Sequence, residues 1–175
     1  MVMMPKRQDM VRFITVVIAV MIADFVTKSV MLSLIFDPPR VIAVFPFLNF
    51  APAWNEGVSF GLLASGGQWT RHGISLLAVV VVLWLFFQLA DLAKWQKLAA
   101  AFISGGALGN ALDRQIYGRV VDFIDFHLGT WHYPAFNIAD TMIFTGVALW
   151  VVEVLIQVRQ QSRHKQIKDK QNEKR

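Results

Sequence analysis

Two aspartates lie in otherwise apolar surroundings in the second half of the chain. Asp122 is part of VVDFIDF at 120–126, and Asp140 is part of FNIADTMIF at 136–144. Two carboxylates held close together cannot both ionise easily, so one keeps a proton while the other is charged. Such a pair can activate water with its base and protonate a leaving amine with its acid, as in aspartic peptide hydrolysis. We therefore predict Asp122 and Asp140 as a catalytic pair.

The two aspartates are not equivalent in this pattern. Asp140 begins an apolar helix, so it has an alternative structural role as the N-cap, which is compatible with catalysis. The positive end of the helix dipole favours a charged Asp140 and leaves Asp122 to carry the proton. This assignment is a hypothesis because a coupled pair titrates as a unit. A third carboxylate, Asp125, is expected to point to water.

Other hydrolytic groups fit this sequence less well. The chain has no cysteine, which excludes thiol catalysis, disulfides and cysteine-ligated metals. It has no HExxH motif, and its four histidines lack metal-ligand spacing, so no metal is predicted. Ser104 with His127 or His132 could imitate a serine protease, but the residues around Ser104 form no nucleophile motif.

The elements that must position these residues are predicted to span a membrane. The composition is 55% hydrophobic and 17% charged, whereas soluble domains are nearer a quarter charged. A helix needs roughly 20 apolar residues to cross the hydrocarbon layer. The apolar segments predict an all-α integral membrane protein with four transmembrane helices, at about 13–36, 73–90, 98–116 and 139–158. These helices would form a single membrane domain over 1–158.

The distribution of Lys and Arg predicts the orientation in the membrane. Basic residues cluster before the first span, between the second and third, and after the fourth. The positive-inside rule therefore puts both termini in the cytoplasm and the 37–72 and 113–139 loops outside. The first segment is interpreted as a retained span rather than a removed leader. The basic tail, 159–175, is predicted to be partly disordered and to contact anionic lipid, so the net charge of +5 requires no nucleic-acid partner.

The first outer loop contains an apolar stretch followed by a polar turn. Two prolines in 41–54 argue against a spanning helix and favour an interfacial or re-entrant element. In WNEGVSFG at 54–61, Asn55 and Gly57 favour a turn that brings the backbone close to another group. An ordinary hairpin is the alternative interpretation.

The predicted first span carries an ionisable pair, Asp24 and Lys28. An Asp four residues before a Lys is the favourable order for an ion pair along a helix. One interpretation is a self-neutralising pair in which Lys28 extends outward to the membrane surface. The other is that Asp24 faces the bundle interior and orders polar groups there, as ionisable residues inside membranes commonly do.

The predicted third span ends in a run of small and polar residues. Gly105 and Gly109 form a G-x-x-x-G pair, which allows another helix to approach closely. Asn110, Asp113 and Arg114 are spaced three and four residues apart, so they share one helical face. We expect that face to line a wet cleft at the outer end of the span, on the side where Asp122 and Asp140 lie.

Taken together, five blocks resemble the bacterial lipoprotein signal peptidases (signal peptidase II), in the family's order and across almost all the chain. The blocks are DxxTK at 24–28, NxGxSF at 55–60, GGALGNxxDR at 105–114, VVDFxDF at 120–126 and FNxAD at 136–140. Each block alone is weak, but the set is specific. Many members have Gln where this chain has Phe25, which is a minor departure.

The resemblance implies a membrane aspartyl endopeptidase that cleaves the signal peptide from diacylglyceryl-modified prolipoproteins, just before the lipidated Cys. It assigns the catalytic roles to Asp122 and Asp140. It implies residues near the pocket that bind substrate or support the catalytic pair: Asp24, Asn55, Asn110, Arg114 and Asn137. Structural residues near the site are expected to be Lys28, Gly57, Gly105, Gly109 and Asp113.

The resemblance also implies further properties of the protein. A small extracytoplasmic β-sheet would include residues around 41–61, within the outer element at about 37–72. No cofactor is implied, and we expect a monomer in the bacterial cytoplasmic (inner) membrane, with membrane lipids and prolipoproteins as its partners. Two alternatives remain at this point: a small proton-coupled transporter and a non-catalytic lipid-binding membrane protein. The first predicts charged groups near the midplane and paired repeats, and the second leaves the convergence of Asp122 and Asp140 unexplained.

Overall fold

The computed structural model describes residues 4–56 and 67–172, and the predicted Gly57 lies outside them. Helices and strands alternate in groups along the described chain. In order they are α1 (Arg7–Ile35), β1 (Ile42–Phe45), β2 (Leu48–Asn55), α2 (Gly67–Gln88), α3 (Lys94–Ile116), β3 (Val120–Leu128), β4 (Trp131–His132) and α4 (Ile138–Asn172).

Three helices in the described part of the chain are long and apolar enough to cross a membrane. They are Arg7–Ile35, Arg71–Gln88 and Ile138–Lys165, with mean hydropathies of 2.1, 1.7 and 1.9. Many large apolar side chains on α1, α2 and α4 are exposed, which is typical of helices that face lipid. The third predicted span, at about 98–116, coincides with α3, which does not meet this standard, so four spans remain a prediction.

The position of α3 explains its lower hydropathy. It contacts α1, α2 and α4, so other helices cover much of its surface. Its buried residues are mostly small: Ala99, Ala100, Ala101, Ser104, Gly105, Gly106, Gly109 and Ala111. A helix enclosed by neighbours needs small side chains for close approach rather than large apolar ones for contact with lipid.

Contacts at both ends show that α1 and α3 run parallel. Near their starts, Lys97 Nζ lies 2.6 Å from Asp9 Oδ2. Near their ends, Lys28 Nζ lies 2.9 Å from Asp113 Oδ2. Because α1 and α3 run in the same direction, the chain must return to the starting end between them, and α2 is the helix that does so.

The glycines of α3 allow this close packing. A Cβ on Gly105 would lie 2.7 Å from Val20 Cβ, and one on Gly109 would lie 2.7 Å from Asp24 Oδ2. The G-x-x-x-G pair therefore faces α1. A Cβ on Gly106 would collide with the backbone oxygen of Ala139, so the same stretch also packs against the start of α4.

A four-stranded antiparallel sheet in the order β1-β2-β3-β4 lies beyond the ends of the helices. The hairpin of β1 and β2 matches the expected β element within residues 42–55. The outer loop predicted at 113–139 contains β3 and β4, which the sequence analysis did not predict. The strand β3 was missed because Val120, Val121 and Phe123 are all buried, so it shows no alternation of apolar and polar residues.

The last helix is longer than the predicted span. α4 contains 35 residues and continues without a break to Asn172. The basic tail expected to be partly disordered from residue 159 is therefore helical through its described part.

Candidate active site

Asp122 and Asp140 are joined through two asparagines. Asn137 Nδ2 donates to Asp122 Oδ1 at 2.7 Å, and Asn110 Nδ2 donates to Asp140 Oδ1 at 2.7 Å. Asn137 Nδ2 also lies 3.0 Å from Asn110 Oδ1 and donates to it. The pair therefore combines a carboxylate from β3 with one from the first turn of α4, fixed against the end of α3.

The start of α4 is fixed by a reciprocal pair of hydrogen bonds. The Asp140 N–H donates to Asn137 Oδ1 at 2.9 Å, and the Asn137 N–H donates to Asp140 Oδ2 at 3.3 Å. This is the arrangement of a capping box, in which Asn137 is the N-cap. The interpretation of Asp140 as the N-cap is thus wrong. Asp140 instead lies within the first turn, where the helix dipole stabilises negative charge.

Asp24 supplies a further cap to α4 from α1. Its Oδ1 accepts a hydrogen bond of 2.8 Å from the Ala139 N–H, and Asp24 is only 1% exposed. Of the two interpretations of Asp24, the one in which it faces the interior matches the structure. Phe25, where the chain departs from the resembling family, is 46% exposed on α1 and takes no part in this capping contact.

Lys28 is buried among three partners instead of extending to the membrane surface. It is 2% exposed, and its Nζ lies 2.7 Å from Asp24 Oδ2 and 2.9 Å from Asp113 Oδ2. Its third contact is a 3.0 Å hydrogen bond to Asn110 Oδ1. A buried ammonium needs such partners because an unpaired charge is costly away from water. Lys28 therefore holds Asn110, which in turn holds Asp140.

Asp113 connects this buried charge to β3. Its Oδ2 accepts a 3.0 Å hydrogen bond from the Val121 N–H, directly before Asp122 in the strand. The backbone of β3 is thus attached to α3 beside the candidate catalytic residue. A structural role for Asp113 agrees with this geometry.

Asn55 from β2 completes the surroundings of Asp122. Its Nδ2 donates to Asp122 Oδ2 at 3.1 Å, so both carboxylate oxygens accept from an amide. Burial, followed by the negative charge of Asp140, raises the pKa of Asp122 to about 7, against the opposing hydrogen bonds from Asn55 and Asn137. A carboxyl group with this pKa holds its proton in the mildly acidic range, and the assignment of the shared proton to Asp122 stays a prediction.

Arg114 lies beside the two aspartates. Its Nη1 donates to the Asn110 backbone oxygen at 3.2 Å, and its charge acts on both Asp140 and Asp122. Its Nε is buried and has no hydrogen-bond partner among the described residues. A buried guanidinium with a donor to spare can bind a carbonyl or carboxylate oxygen of a ligand.

Asp125 contradicts its predicted role as a carboxylate that points to water. It is 8% exposed and accepts hydrogen bonds from Asn49 Nδ2 at 3.1 Å and from His132 Nδ1 at 2.8 Å. Although burial acts in the opposite direction, the hydrogen bonds from His132 and Asn49 lower the pKa of Asp125 below its ordinary value. Asp125 therefore stabilises the sheet and the β3–β4 turn as an ionised group.

An aromatic cavity of about 680 Å³ opens beside Asp140. Its apolar lining comes from β3, β4, the segments that join neighbouring elements, and the start of α4: Phe47, Phe126, Leu128, Trp131, Tyr133, Phe136 and Phe144. This size and lining are typical of sites for apolar ligands. Sequence reasoning missed these residues, although the concentration of aromatic side chains between Phe123 and Phe136, next to Asp140, could have indicated them.

The geometry supports acid–base chemistry on a ligand with a large apolar part. Asp140 is half-buried and borders the aromatic cavity, while Asp122 behind it can hold a proton near neutral pH. Arg114 adds a positive charge for a developing oxyanion or a backbone carbonyl. The site is thus a pair of carboxyl groups, one on β3 and one in the first turn of α4, located where the sheet contacts the helices.

Comparison with known proteins identifies relatives over most of the chain. A family model described as Signal peptidase (SPase) II matches residues 16–156. A lipoprotein signal peptidase of Paraburkholderia phymatum is 37% identical over 157 residues, covering 89% of this chain and 94% of the relative. A lipoprotein signal peptidase of Burkholderia mallei is 40% identical over 142 residues, covering 80% and 85% respectively.

Solved structures give a corresponding result for the fold. A bacterial membrane enzyme solved by the in meso method at 1.9 Å resolution has a TM-score of 0.71 and 28% identity, covering 89% of this chain and 97% of its own. A structure described in the same words at 2.3 Å resolution also has a TM-score of 0.71 and 28% identity, with coverages of 84% and 89%.

Proposed function

The chain belongs to the signal peptidase II family, and we propose that it is a membrane aspartyl endopeptidase acting on diacylglyceryl-modified prolipoproteins. It removes the signal peptide by cutting before the lipidated Cys. The observation that carries this proposal is the connection of Asp122 to Asp140 through Asn137 and Asn110, next to an aromatic cavity.

In the proposed mechanism, the two aspartates divide acid and base work. Asp140 takes a proton from water as the water oxygen attacks the scissile carbonyl carbon. Asp122 gives its proton to the leaving nitrogen as the C–N bond breaks and the carbonyl forms again. The enzyme then holds a proton on Asp140, and exchange with solvent restores it to Asp122. The raised pKa of Asp122 supports its role as the acid.

The other site residues have positioning roles in this proposal. Asn110 and Asn137 hold the two carboxylates in place, while Asn55 orients Asp122 from the sheet. Arg114 binds a backbone carbonyl of the substrate through its unpartnered Nε. The aromatic cavity receives the apolar part of the substrate beside Asp140.

The proposed topology has four spans, α1 to α4 in chain order, with both termini in the cytoplasm. The parallel course of α1 and α3 supports it, because two helices that start on the same side need α2 between them. The site then lies near the outer face of the bacterial cytoplasmic membrane. There it meets the scissile bond of a substrate anchored by a signal helix and a lipid. We propose one membrane domain over 1–158 that acts as a monomer without a cofactor.

The experiment that tests the function is cleavage of a purified, diacylglyceryl-modified prolipoprotein in detergent. Asp122→Asn and Asp140→Asn are each expected to lower kcat/KM by about 10²–10⁴, the usual contribution of acid–base groups. Asp125→Asn is the matched control, since it changes an aspartate of the same strand that lies outside the pair. It is expected to retain activity within about threefold.

Binding and stability measurements make this test decisive. Both catalytic variants are expected to bind a lipopeptide inhibitor as the wild type does and to remain folded by circular dichroism. Cleavage by either variant at near wild-type rate would refute the assigned mechanism. Absence of cleavage by well-folded wild type would refute the proposed activity and favour a lipid-binding or transport role.

A further inference from the structure

A second cavity lies at the opposite end of the helices from the candidate active site. It has a volume of about 700 Å³ and opens between the starts of α1 and α3. We call it the basic cavity and define it by its lining residues: Lys6, Gln8, Asp9, Arg12, Phe13, Val16, Lys94, Trp95, Lys97, Leu98 and Ala101. The proposed function assigns no role to it.

The basic cavity carries an excess of positive charge. Its single carboxylate, Asp9, is already paired with Lys97 at 2.6 Å. Lys6, Arg12 and Lys94 are exposed and form no ion pair within the described residues. Three unpaired cations around one opening attract an anion, and they disfavour the basic segments that precede the apolar core of signal peptides.

The inner part of the basic cavity is apolar. Phe13 and Ala101 are buried, and Val16 and Leu98 are half-buried beside them. At the rim, Trp95 is exposed and Lys94 Nζ lies 5.3 Å from the centre of its ring. Exposed Trp residues at helix ends are typical of the level of lipid headgroups. The cavity thus combines cations at the rim with an apolar interior.

We propose that the basic cavity binds one anionic phospholipid from the leaflet at this end of α1 and α3. Its phosphate contacts Lys6, Arg12 and Lys94, and the upper part of an acyl chain packs against Phe13 and Val16. The charge selects an anionic over a zwitterionic headgroup, because the zwitterionic lipid adds an ammonium that the three cations repel. The apolar interior selects a lipid over a soluble phosphate.

This site is independent of the peptidase chemistry. Asp9 and Asp24 are separated along α1 by about 22 Å at the rise of an α-helix, so the lipid lies far from Asp140. Bound there, it would connect the starts of α1 and α3 on the side away from the catalytic pair. Failure of the lipid proposal would therefore leave the peptidase proposal intact, and the reverse also holds.

The test is native mass spectrometry of the detergent-purified protein, titrated with phosphatidylglycerol and with phosphatidylcholine of the same acyl chains. The cavity variant combines Lys6→Gln, Arg12→Gln and Lys94→Gln. The matched control removes three exposed cations of α4 with Arg159→Gln, Arg163→Gln and Lys165→Gln.

The cavity variant is expected to bind the first phosphatidylglycerol about 100-fold more weakly, because each of the three cations near a lipid surface contributes about fivefold. The α4 control is expected to stay within about twofold of wild type. A charge-keeping variant, Lys6→Arg with Lys94→Arg, is expected to keep wild-type affinity, which separates loss of charge from loss of fold.

Three results would overturn the proposal. One is equal affinity of wild type for the two lipids, which would remove the selection by charge. Another is an unchanged affinity in the cavity variant, or an equal loss in the α4 control, which would make the attraction non-specific. The third is displacement of phosphatidylglycerol by inorganic phosphate at the same concentration, which would identify the ligand as soluble phosphate.

Discussion

The two ends of β3 hold buried aspartates in opposite electrostatic surroundings. Asp122 and Asp125 are three residues apart, and both accept hydrogen bonds from an Asn of β2. At the first end, burial and the charge of Asp140 raise the pKa of Asp122 to about 7. At the other end, hydrogen bonds from His132 and Asn49 outweigh burial and lower the pKa of Asp125. Deeper burial, followed by the charge of Asp140, separates the carboxyl group that holds a proton from the one that stays ionised.

Among the changes that distinguish the two ends of β3, removal of the amide partner of Asp122 is expected to have the largest effect. Asn137→Ala takes away a donor to Asp122, the contact to Asn110 and the cap of α4. We expect kcat/KM to fall by about 10²-fold, because misplaced catalytic groups lose rate steeply. Loss of the cap should also lower the free energy of unfolding by about 1 kcal/mol.

Asn49→Ala is the matching change at the Asp125 end of β3. It removes one donor to Asp125 and leaves the catalytic pair untouched. Cleavage assays and thermal unfolding of both variants should therefore show lost activity only for Asn137→Ala. A comparable loss of kcat/KM in Asn49→Ala would mean that the two ends are not functionally distinct.

A smaller effect is expected in the pH dependence of cleavage. Because Asp122 acts as the acid with a pKa of about 7, kcat/KM should fall as the pH rises above about 7. The hydrogen bond from Asn55 lowers this pKa, so Asn55→Ala should move the falling limb to higher pH. The expected shift is on the order of one pH unit, since a hydrogen bond to a charged group is worth about 1.5–3 kcal/mol.

The pH profile also separates the two ends of β3. Asp125→Asn should leave the falling limb where the wild type has it, because Asp125 is not part of the pair. Profiles of the wild type, Asn55→Ala and Asp125→Asn, measured over pH 5–9 as kcat/KM, would decide this. A limb that moved with Asp125→Asn, but not with Asn55→Ala, would reverse the assignment of the acid.

The two ends of β3 are also expected to differ in how stability depends on pH, with slopes of opposite sign. The pKa of Asp122 is raised on folding, so the native state binds the extra proton and wild-type stability falls as pH rises from about 4 to about 7. Asp122→Asn lacks this titration. The Tm of the variant minus the Tm of the wild type should therefore increase from about pH 4 to about pH 7 and remain constant at higher pH.

Asp125 should behave in the opposite way. Its lowered pKa stabilises the folded state above the ordinary value of 3.8, and this stabilisation is lost as pH falls through the folded pKa. Asp125→Asn should thus lower Tm by about 2–4 °C at pH 7 and by less as the pH falls below about 4. Thermal scans of tryptophan fluorescence between pH 3 and 8 would measure both slopes, and equal slopes would contradict the comparison.

Runs of apolar residues and the positions of prolines were enough to predict most of the helices from the sequence. Apolar runs located α1, α2 and α4, and the proline-containing stretch at 41–54 was correctly excluded from the spans. The short apolar run Leu98–Leu112 predicted a third span at α3, which stays a prediction because the small residues that fit α3 among three helices keep its hydropathy low. The strand β3 was missed because both of its faces are covered near Asp122.

The sequence did not predict the burial of site residues whose partners are distant along the chain. Asp125 was expected at the surface because its partners, Asn49 and His132, lie on other strands. Lys28 is buried because Asp113 and Asn110, from another helix, join Asp24 beside it. By contrast, the spacing of Asn137 and Asp140 is a local signal, and it could have identified the N-cap from sequence.

The reciprocal cap at the start of α4 has a consequence for how the molecule opens. The amide hydrogens of Ala139 and Asp140 are held by side chains of Asp24 and Asn137, not by the helix itself. The Ala139 hydrogen can exchange with solvent only when α1 and α4 separate at this point, and the Asp140 hydrogen only when the buried Asn137 leaves its place at the cap. Slow hydrogen exchange should therefore extend to the first turn of α4, so that Asp140 belongs to the same cooperative unit as the helical core.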